Sequence, residues 1–318
     1  MGKILVIGTL TEHGLSKNTK EALSFAVDFG KESGQDINLL IPNGLDSGEI
    51  ANWPVSQMFT LKTNGTWDMD AYVQAVSNIQ ANHSHSLLVL SGDAFGKALG
   101  GMLSIKQSAG LVSNAIGFQQ QDGNLLIKKS VFSGKAYAWY QVKSSCALIS
   151  LLPHGYGVKT YTHNQSAVVE EVQVNVQTSR IRVIGQNKTK GKTPLTEADV
   201  VVSGGRGLKE SSNFRMIEEL ADLLNAATAC SRPVADAGWR PHHEHVGQTG
   251  IAIRPNVYIA VGISGAIQHL AGVNNSKKII VINKDPEAPF FKSADYGICG
   301  DLFEVLPKLI ESIRSRKQ

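Results

Sequence analysis

The chain of 318 residues has only three cysteines, Cys146, Cys230 and Cys299. They are odd in number and far apart, so they form neither a CxxC site nor a disulfide framework, which suits a reducing compartment. No apolar run approaches the roughly 20 residues a helical membrane span needs, so membrane insertion is not expected. The start, MGKILVIGTL, goes straight into a strand-like run and shows none of the n-region, long apolar core or cleavage site of a signal peptide. It is not Arg- and Ser-rich like a transit peptide either. A cytoplasmic bacterial location is therefore expected, or a mitochondrial matrix one if a transit peptide is missing. Lys and Arg never cluster beyond a few residues except in the final RSRKQ. With a net charge of only +4, this reads as a solvated helix end, not a nucleic-acid surface. GxGxxG, GxSxG and HExxH are all absent, which removes support for an ordinary NAD fingerprint, an α/β-hydrolase serine and a zincin.

The remaining composition is that of a globular protein, 42% apolar and 18% charged. KILVIG (3–8), INLLIP (37–42) and SLLVLSG (86–92) read as buried strands. Helical spacing over 16–32 and small residues over 94–108 give helices between and after them. Such alternation predicts an α/β fold with a parallel sheet. From 111 to 176 the character changes. NLLIKKSVF, AYAWYQV, CALISLL and AVVEEVQVNV are β-rich, with DG and SG turn signals between them, and read as antiparallel strands added to the first domain.

GQNKTKGKTPLTE (185–197) is polar, without apolar period, and marks a linker. The domains are thus expected at 1–186 and 198–318, joined by 187–197. A second alternation follows: strand DVVVSGG (199–205), an amphipathic helix over 209–227, strand NVYIAVGIS (256–264), the short helix GAIQHLAG, strand KKIIVIN (277–283) and a closing helix DLFEVLPKLIESI (301–313). Two domains, each a largely parallel sheet flanked by helices, are predicted, the second Rossmann-like.

Open parallel sheets bind ligands beyond the C-terminal ends of their strands. Three such ends in the second domain carry glycine-rich or polar groups. In SGGRG (203–207) the glycines let backbone N–H groups approach an anion and Arg206 adds a fixed charge. In GISGAIQH (262–269) the turn Gly262–Gly265 opens a helix whose free N–H groups suit a pyrophosphate. Asn283, Lys284 and Asp285 suit ribose hydroxyls or adenine. One glycine turn alone is often a mere connection, but three in one unit favour a dinucleotide. HHEH (242–245) would put His243 and His245 on one face if extended, yet no third or fourth ligand accompanies them, so exposed loop histidines are the preferred account. His269 could be a satisfied core histidine; Gln268 and the glycine turn beside it favour a ligand contact.

SGGRG, SRPVADAGW, VGQTG, YIAVGISGAIQHLAG and VINKDPEAPFFKSADYGICGDL, in this order and spacing, resemble the α subunit of electron-transfer flavoproteins through nearly all of 199–309. GLVSN (110–114) and SGKAYA (133–138) resemble that family's first domain more loosely. The resemblance implies one FAD in the second domain. Arg206 then matches an arginine beside the flavin ring. Ser231 and Thr249 match hydroxyls near its N5 edge, flanked by Arg232 and Gln248. Gly262, Ser264, Gly265, Gln268 and His269 match the loop on the ribityl-pyrophosphate and the pyrimidine side of the ring, and Asn283 and Asp301 match contacts toward the adenosine. A guanidinium and an imidazole near N1 and O2 would stabilise the negative charge that one-electron reduction places there and raise the first reduction potential, with His269 donating either neutral or charged.

His245 stands where the family commonly has Gln, and residues 234–235 read VA for the usual AV. The resemblance further implies an electron carrier with no substrate-converting site, paired with a β subunit that carries AMP and the docking loop. It would accept electrons from acyl-CoA-type dehydrogenases of fatty acid β-oxidation and pass them to a membrane quinone oxidoreductase. The FAD domain would swivel on its linker. Two alternatives stand beside this: an NADH-using bifurcating form with a second FAD in the partner, and a non-redox nucleotide-binding domain of the thiamine-diphosphate-enzyme kind, for which the sequence has no GDG…N segment.

Overall fold

The computed structural model describes residues 2–11, 14–45, 47–62, 68–121, 123–132, 136–163, 166–174 and 194–317. The linker expected at 187–197 lies outside the described residues except for 194–197. The chain divides into two compact units, Met1–Gln186 and Asn187–Gln318.

The first unit runs β1 (Lys3–Ile7), a two-stranded hairpin β2 (Leu10–Thr11) and β3 (Gly14–Leu15), α1 (Lys17–Ser33), β4 (Asp36–Pro42), β5 (Gln57–Leu61), α2 (Met69–His83), β6 (His85–Ser91) and α3 (Ala94–Lys106). It continues with β7 (Gly110–Gln121), β8 (Asn124–Val131), β9 (Ala136–Gln141), β10 (Ala147–Leu151) and β11 (Val168–Val172). Nine strands form one sheet in the order β11-β5-β4-β1-β6-β10-β7-β8-β9. In β1, Ile4 and Val6 enter one apolar cluster with α1, whereas Leu5 and Ile7 enter the other with α2 and α3. A strand covered on both faces needs apolar residues at every position, which is why KILVI does not alternate. The hydroxyl of Ser16 caps α1 by accepting from Thr19 N, and Gly34, at φ +66°, ends it.

The added segment departs from expectation. Within it only β7–β8 and β8–β9 pair antiparallel. CALISLL becomes β10, parallel between β6 and β7, and AVVEEV becomes β11, parallel to β5 at the opposite edge. All five residues of β10 are buried, as an interior parallel strand requires.

The second unit runs β12 (Val200–Gly204), α4 (Arg215–Leu223), β13 (Ala227–Cys230), α5 (Arg232–Asp236), β14 (Val257–Val261), α6 (Ile267–Val273), β15 (Lys278–Asn283), β16 (Tyr296–Cys299) and α7 (Leu302–Lys317). All five strands are parallel, in the order β13-β12-β14-β15-β16. In β14, Tyr258 and Ala260 face one cluster, with Phe290 and Val273, and Ile259 and Val261 the other, with α4 and α7. The single helix expected over 209–227 is instead two short 3-10 turns, Arg206–Leu208 and Ser211–Phe214, followed by α4. Asn225 has φ +50° and Ala227 already begins β13.

Candidate functional site

In the second sheet the chain starts at β12, moves to β13 on one side and crosses to β14 on the other. The C-terminal ends of β12 and β14 thus flank a crevice that neither connection fills, the place where open α/β sheets hold ligands. Both ends are glycine turns, and they are laced together: Gly205 N donates to Val261 O (2.9 Å) and Gly207 N to Gly262 O (3.0 Å). A Cβ at Gly205 would lie 2.2 Å from Gly262 O, so this approach admits no side chain. The glycines of SGGRG therefore serve the close approach of two strand ends. Their N–H groups are spent within the protein, which corrects the expectation that they face an anion. Arg206, between them, is exposed, and its guanidinium makes no hydrogen bond or ion pair among the described residues.

The turn after β14 behaves differently. Gly262 N donates to Ile282 O, but the N–H groups of Ile263, Ser264, Gly265, Ala266, Ile267 and Gln268 donate to nothing among the described residues. The carbonyls of this segment hold it in place instead: Ile263 O accepts from Asn283 Nδ2 (2.9 Å), Ser264 O from Phe290 N (3.1 Å) and Gln268 O from Gln248 N (2.7 Å). Gly265, at φ +83°, sits against the backbone of Phe290. The result is a run of unpaired donors on a braced loop, suited to anionic oxygens. Ser264 and Gln268 are exposed on this loop.

The other candidate residues fall into two groups. Ser231 follows β13, is buried, and sets the start of α5 through its backbone, its N donating to Gly204 O, while its hydroxyl makes no cap bond. Gln248 and Thr249 are exposed in the 247–250 turn, which packs on α6 because a Cβ at Gly272 would meet Gly247 Cα at 2.6 Å. Arg232 is exposed, with Nε 3.3 Å from Asp236. By contrast, Asn283 and Asp301 already have structural work. Asn283 braces Ile263 and accepts from Asp285 N, and Asp301 accepts from Phe303 N (2.9 Å) as the cap of α7.

His269, on α6, is 7% exposed. Its Nε2 is 2.8 Å from the hydroxyl of Tyr258, while Nδ1 is buried with no hydrogen-bond partner of good geometry. Burial lowers its pKa to about 4, the nearby His245 lowers it further, and the backbone of Val246 opposes weakly. It is therefore neutral at pH 7, which settles the charge left open by the sequence. HHEH is not extended: 242–244 is a 3-10 turn, His242 and His243 are exposed, and Glu244 is held by Arg240. Among the described residues no group of three His, Cys, Asp or Glu could hold a metal. His245 is buried, its ring against Gly250, and its pKa is lowered by burial and by Arg232.

Two residues were missed by sequence reading. Arg240 bonds Glu218 (2.7 Å) and both oxygens of Glu244, with its guanidinium 4.5 Å over the Phe214 ring, and so anchors the segment leading to His245 on α4. Only the i,i+4 spacing to Glu244 hinted at it. Tyr258 lay hidden in an apolar strand run.

A glycine-laced crevice at the switch point of a 2-1-3-4-5 parallel sheet, with a run of free donors and a buried unpartnered imidazole nitrogen, defines a protein that holds a nucleotide-type cofactor. Residues 4–177 match the family model of the electron transfer flavoprotein domain, and residues 194–274 that of the electron transfer flavoprotein FAD-binding domain. The chain is 34% identical over 319 residues to electron transfer flavoprotein subunit alpha of Bacillus subtilis, covering 98% of this chain and 97% of that protein. It is 35% identical to the same subunit of Mycobacterium leprae, covering 100% of both. It is 30% identical to the electron transfer flavoprotein subunit YdiR of Escherichia coli, covering 88% and 91%. The chain belongs to the electron transfer flavoprotein α-subunit family and is an FAD-binding electron-transport flavoprotein.

Proposed function

We propose that this chain, paired with a β subunit in the cytoplasm, holds one FAD in the crevice between β12 and β14. In this reading it relays single electrons from acyl-CoA-type dehydrogenases to a membrane quinone oxidoreductase, without converting a substrate itself. The observation that carries the reading is the run of six unpaired N–H groups from Ile263 to Gln268, held open by Gly265 and braced by Asn283. These donors would take the pyrophosphate, whose two negative charges need oriented N–H groups more than side-chain cations.

When bound, the isoalloxazine accepts and gives electrons one at a time. The residues around it set how readily. Arg206 supplies a permanent positive charge, since a guanidinium stays protonated at any working pH. His269 is neutral and offers a dipole instead of a charge, which stabilises negative charge on the ring without repelling Arg206. Ser231 and Thr249 present hydroxyls at two different connections, after β13 and in the 247–250 turn. Arg232 and Gln248 stand beside them, and Asp301 keeps one carboxylate oxygen free beyond its cap bond for the adenosine side. The work of this crevice is to bind, orient and polarise.

The test is to purify the chain with its β partner, count flavin, and exchange electrons with an acyl-CoA dehydrogenase. One FAD per pair and reduction by the dehydrogenase are expected. Two flavins per pair with reduction by NADH would replace this reading by the bifurcating one.

A further inference from the structure

Tyr258 is the second residue of β14, fully buried, and its ring lies beside those of Phe290 and His269. Its hydroxyl is 2.8 Å from His269 Nε2. The groups around the pair are few: Ser203 from β12, Phe290 edge-on to the imidazole at 5.7 Å, the Val246 backbone, and two titratable side chains, Cys230 beside Tyr258 and His245 beside His269. A neutral imidazole carries one proton on two nitrogens, so whichever nitrogen Tyr258 engages decides what the other can do.

We propose that Tyr258 is a positioning residue whose hydroxyl donates to Nε2 of His269, fixing the imidazole in its Nδ1–H form and leaving one directed donor on Nδ1 for an acceptor atom of the FAD ring system. This rests on the reading that the crevice holds FAD. Two considerations support the direction. A phenol is a strong donor and a weak acceptor, because its oxygen lone pairs delocalise into the ring, whereas an unprotonated imidazole nitrogen is a strong acceptor. The reverse polarity would leave Nδ1 a buried bare acceptor with no donor to it among the described residues, whereas the Nδ1–H form keeps it a donor. Tyr258 thus turns an ambiguous histidine into a donor of one orientation, the usual role of a group behind a functional imidazole.

Tyr258→Phe removes the hydroxyl and keeps the ring. In the flavin-loaded heterodimer, nitrogen-15 spectra of labelled histidine should show His269 as Nδ1–H in the natural protein and a mixed or Nε2–H tautomer in the variant. The first one-electron reduction should become about tenfold less favourable, a shift of about 59 mV for one electron. A natural protein with His269 as Nε2–H, or a variant with unchanged tautomer and potential, overturns the proposal. If the variant does not fold, the natural protein's spectrum alone decides. A natural heterodimer that binds no flavin would instead strike the crevice reading, and the tautomer could still be read in the flavin-free protein.

Discussion

Replacing Gly265 with alanine perturbs the cofactor loop at its tightest point. Gly265 has φ +83°, outside the range L residues occupy readily, and the alanine would cost about 1–2 kcal/mol for backbone conformation alone. Its Cβ would lie 2.5 Å from Phe290 Cβ and 2.6 Å from Phe290 N and Cα, against ordinary carbon contacts of about 3.5–4.0 Å. Phe290 cannot give way cheaply: its side chain is fully buried and its N is bonded to Ser264 O at 3.1 Å. Overpacking of this kind costs about 1–3 kcal/mol. The sum is about 2–5 kcal/mol. The free protein can relieve it by moving the loop, so the strain returns when FAD aligns the donors again. At about 1.4 kcal/mol per factor of ten, FAD should bind at least about 30-fold more weakly. Gly101→Ala in α3 is the control, because a Cβ there meets nothing within 4 Å. The assay is calorimetric FAD binding to stripped and reloaded heterodimer, with thermal midpoints for both variants. Gly265→Ala binding FAD as tightly as Gly101→Ala would refute the reasoning.

Arg206→Ala should leave the stability of the flavin-free protein within about 0.5 kcal/mol of the natural one, because the side chain is exposed and unpaired among the described residues, yet lower the first reduction potential of the loaded protein. Spectroelectrochemistry with parallel melting curves checks both. His85, 3% exposed, bonds Asn38 and Gln80 through its two ring nitrogens, and burial, then His83 and Lys3, lowers its pKa to about 4. The unfolded chain takes up the proton first. Stability is therefore complete above pH 6.5 and falls as pH drops toward 4, by up to about 3 kcal/mol. Urea denaturation across that window should be distinctly flatter for His85→Gln; equal slopes would contradict it. Glu21, buried in α1, accepts from the N–H groups of His154, Tyr156 and Gly157 at 2.7–2.8 Å. Glu21→Gln loses one acceptor oxygen and the charge, and should cost about 2–3 kcal/mol and speed hydrogen exchange over 154–157; unchanged exchange would count against it.

The strands that carry the site could be read in the sequence because each is buried on both faces and therefore continuously apolar: VVVSG, VYIAV and KIIVIN end where polar residues begin. Their pairing could not. CALISLL and AVVEEV differ in burial, one an interior strand and one an exposed edge, yet both are parallel, and nothing local encodes that partner choice. β16, YGIC, is exposed along its whole length and gives no apolar signal. In the site, Arg206, the Gly262–Gly265 turn and His269 announced themselves through glycine and charge at strand ends. What glycine does there was not legible. At both Gly205 and Gly265 it permits one backbone to touch another, but beside Gly205 the N–H groups are bonded within the protein and around Gly265 they are unpaired among the described residues, and only the hydrogen bonds distinguish the two. The bracing by Asn283 and the tyrosine behind His269 depend on contacts across 20 and 11 residues, which no periodicity reports.

The most direct test of the central claim, that the crevice between β12 and β14 holds one redox-active FAD, is a reductive titration of the purified heterodimer with its flavin counted by absorbance. The account predicts one FAD per heterodimer, reduced in two separate one-electron steps, with FAD held at least about 30-fold more weakly in Gly265→Ala. A folded heterodimer without flavin, or one whose flavin is untouched by that substitution, would contradict it.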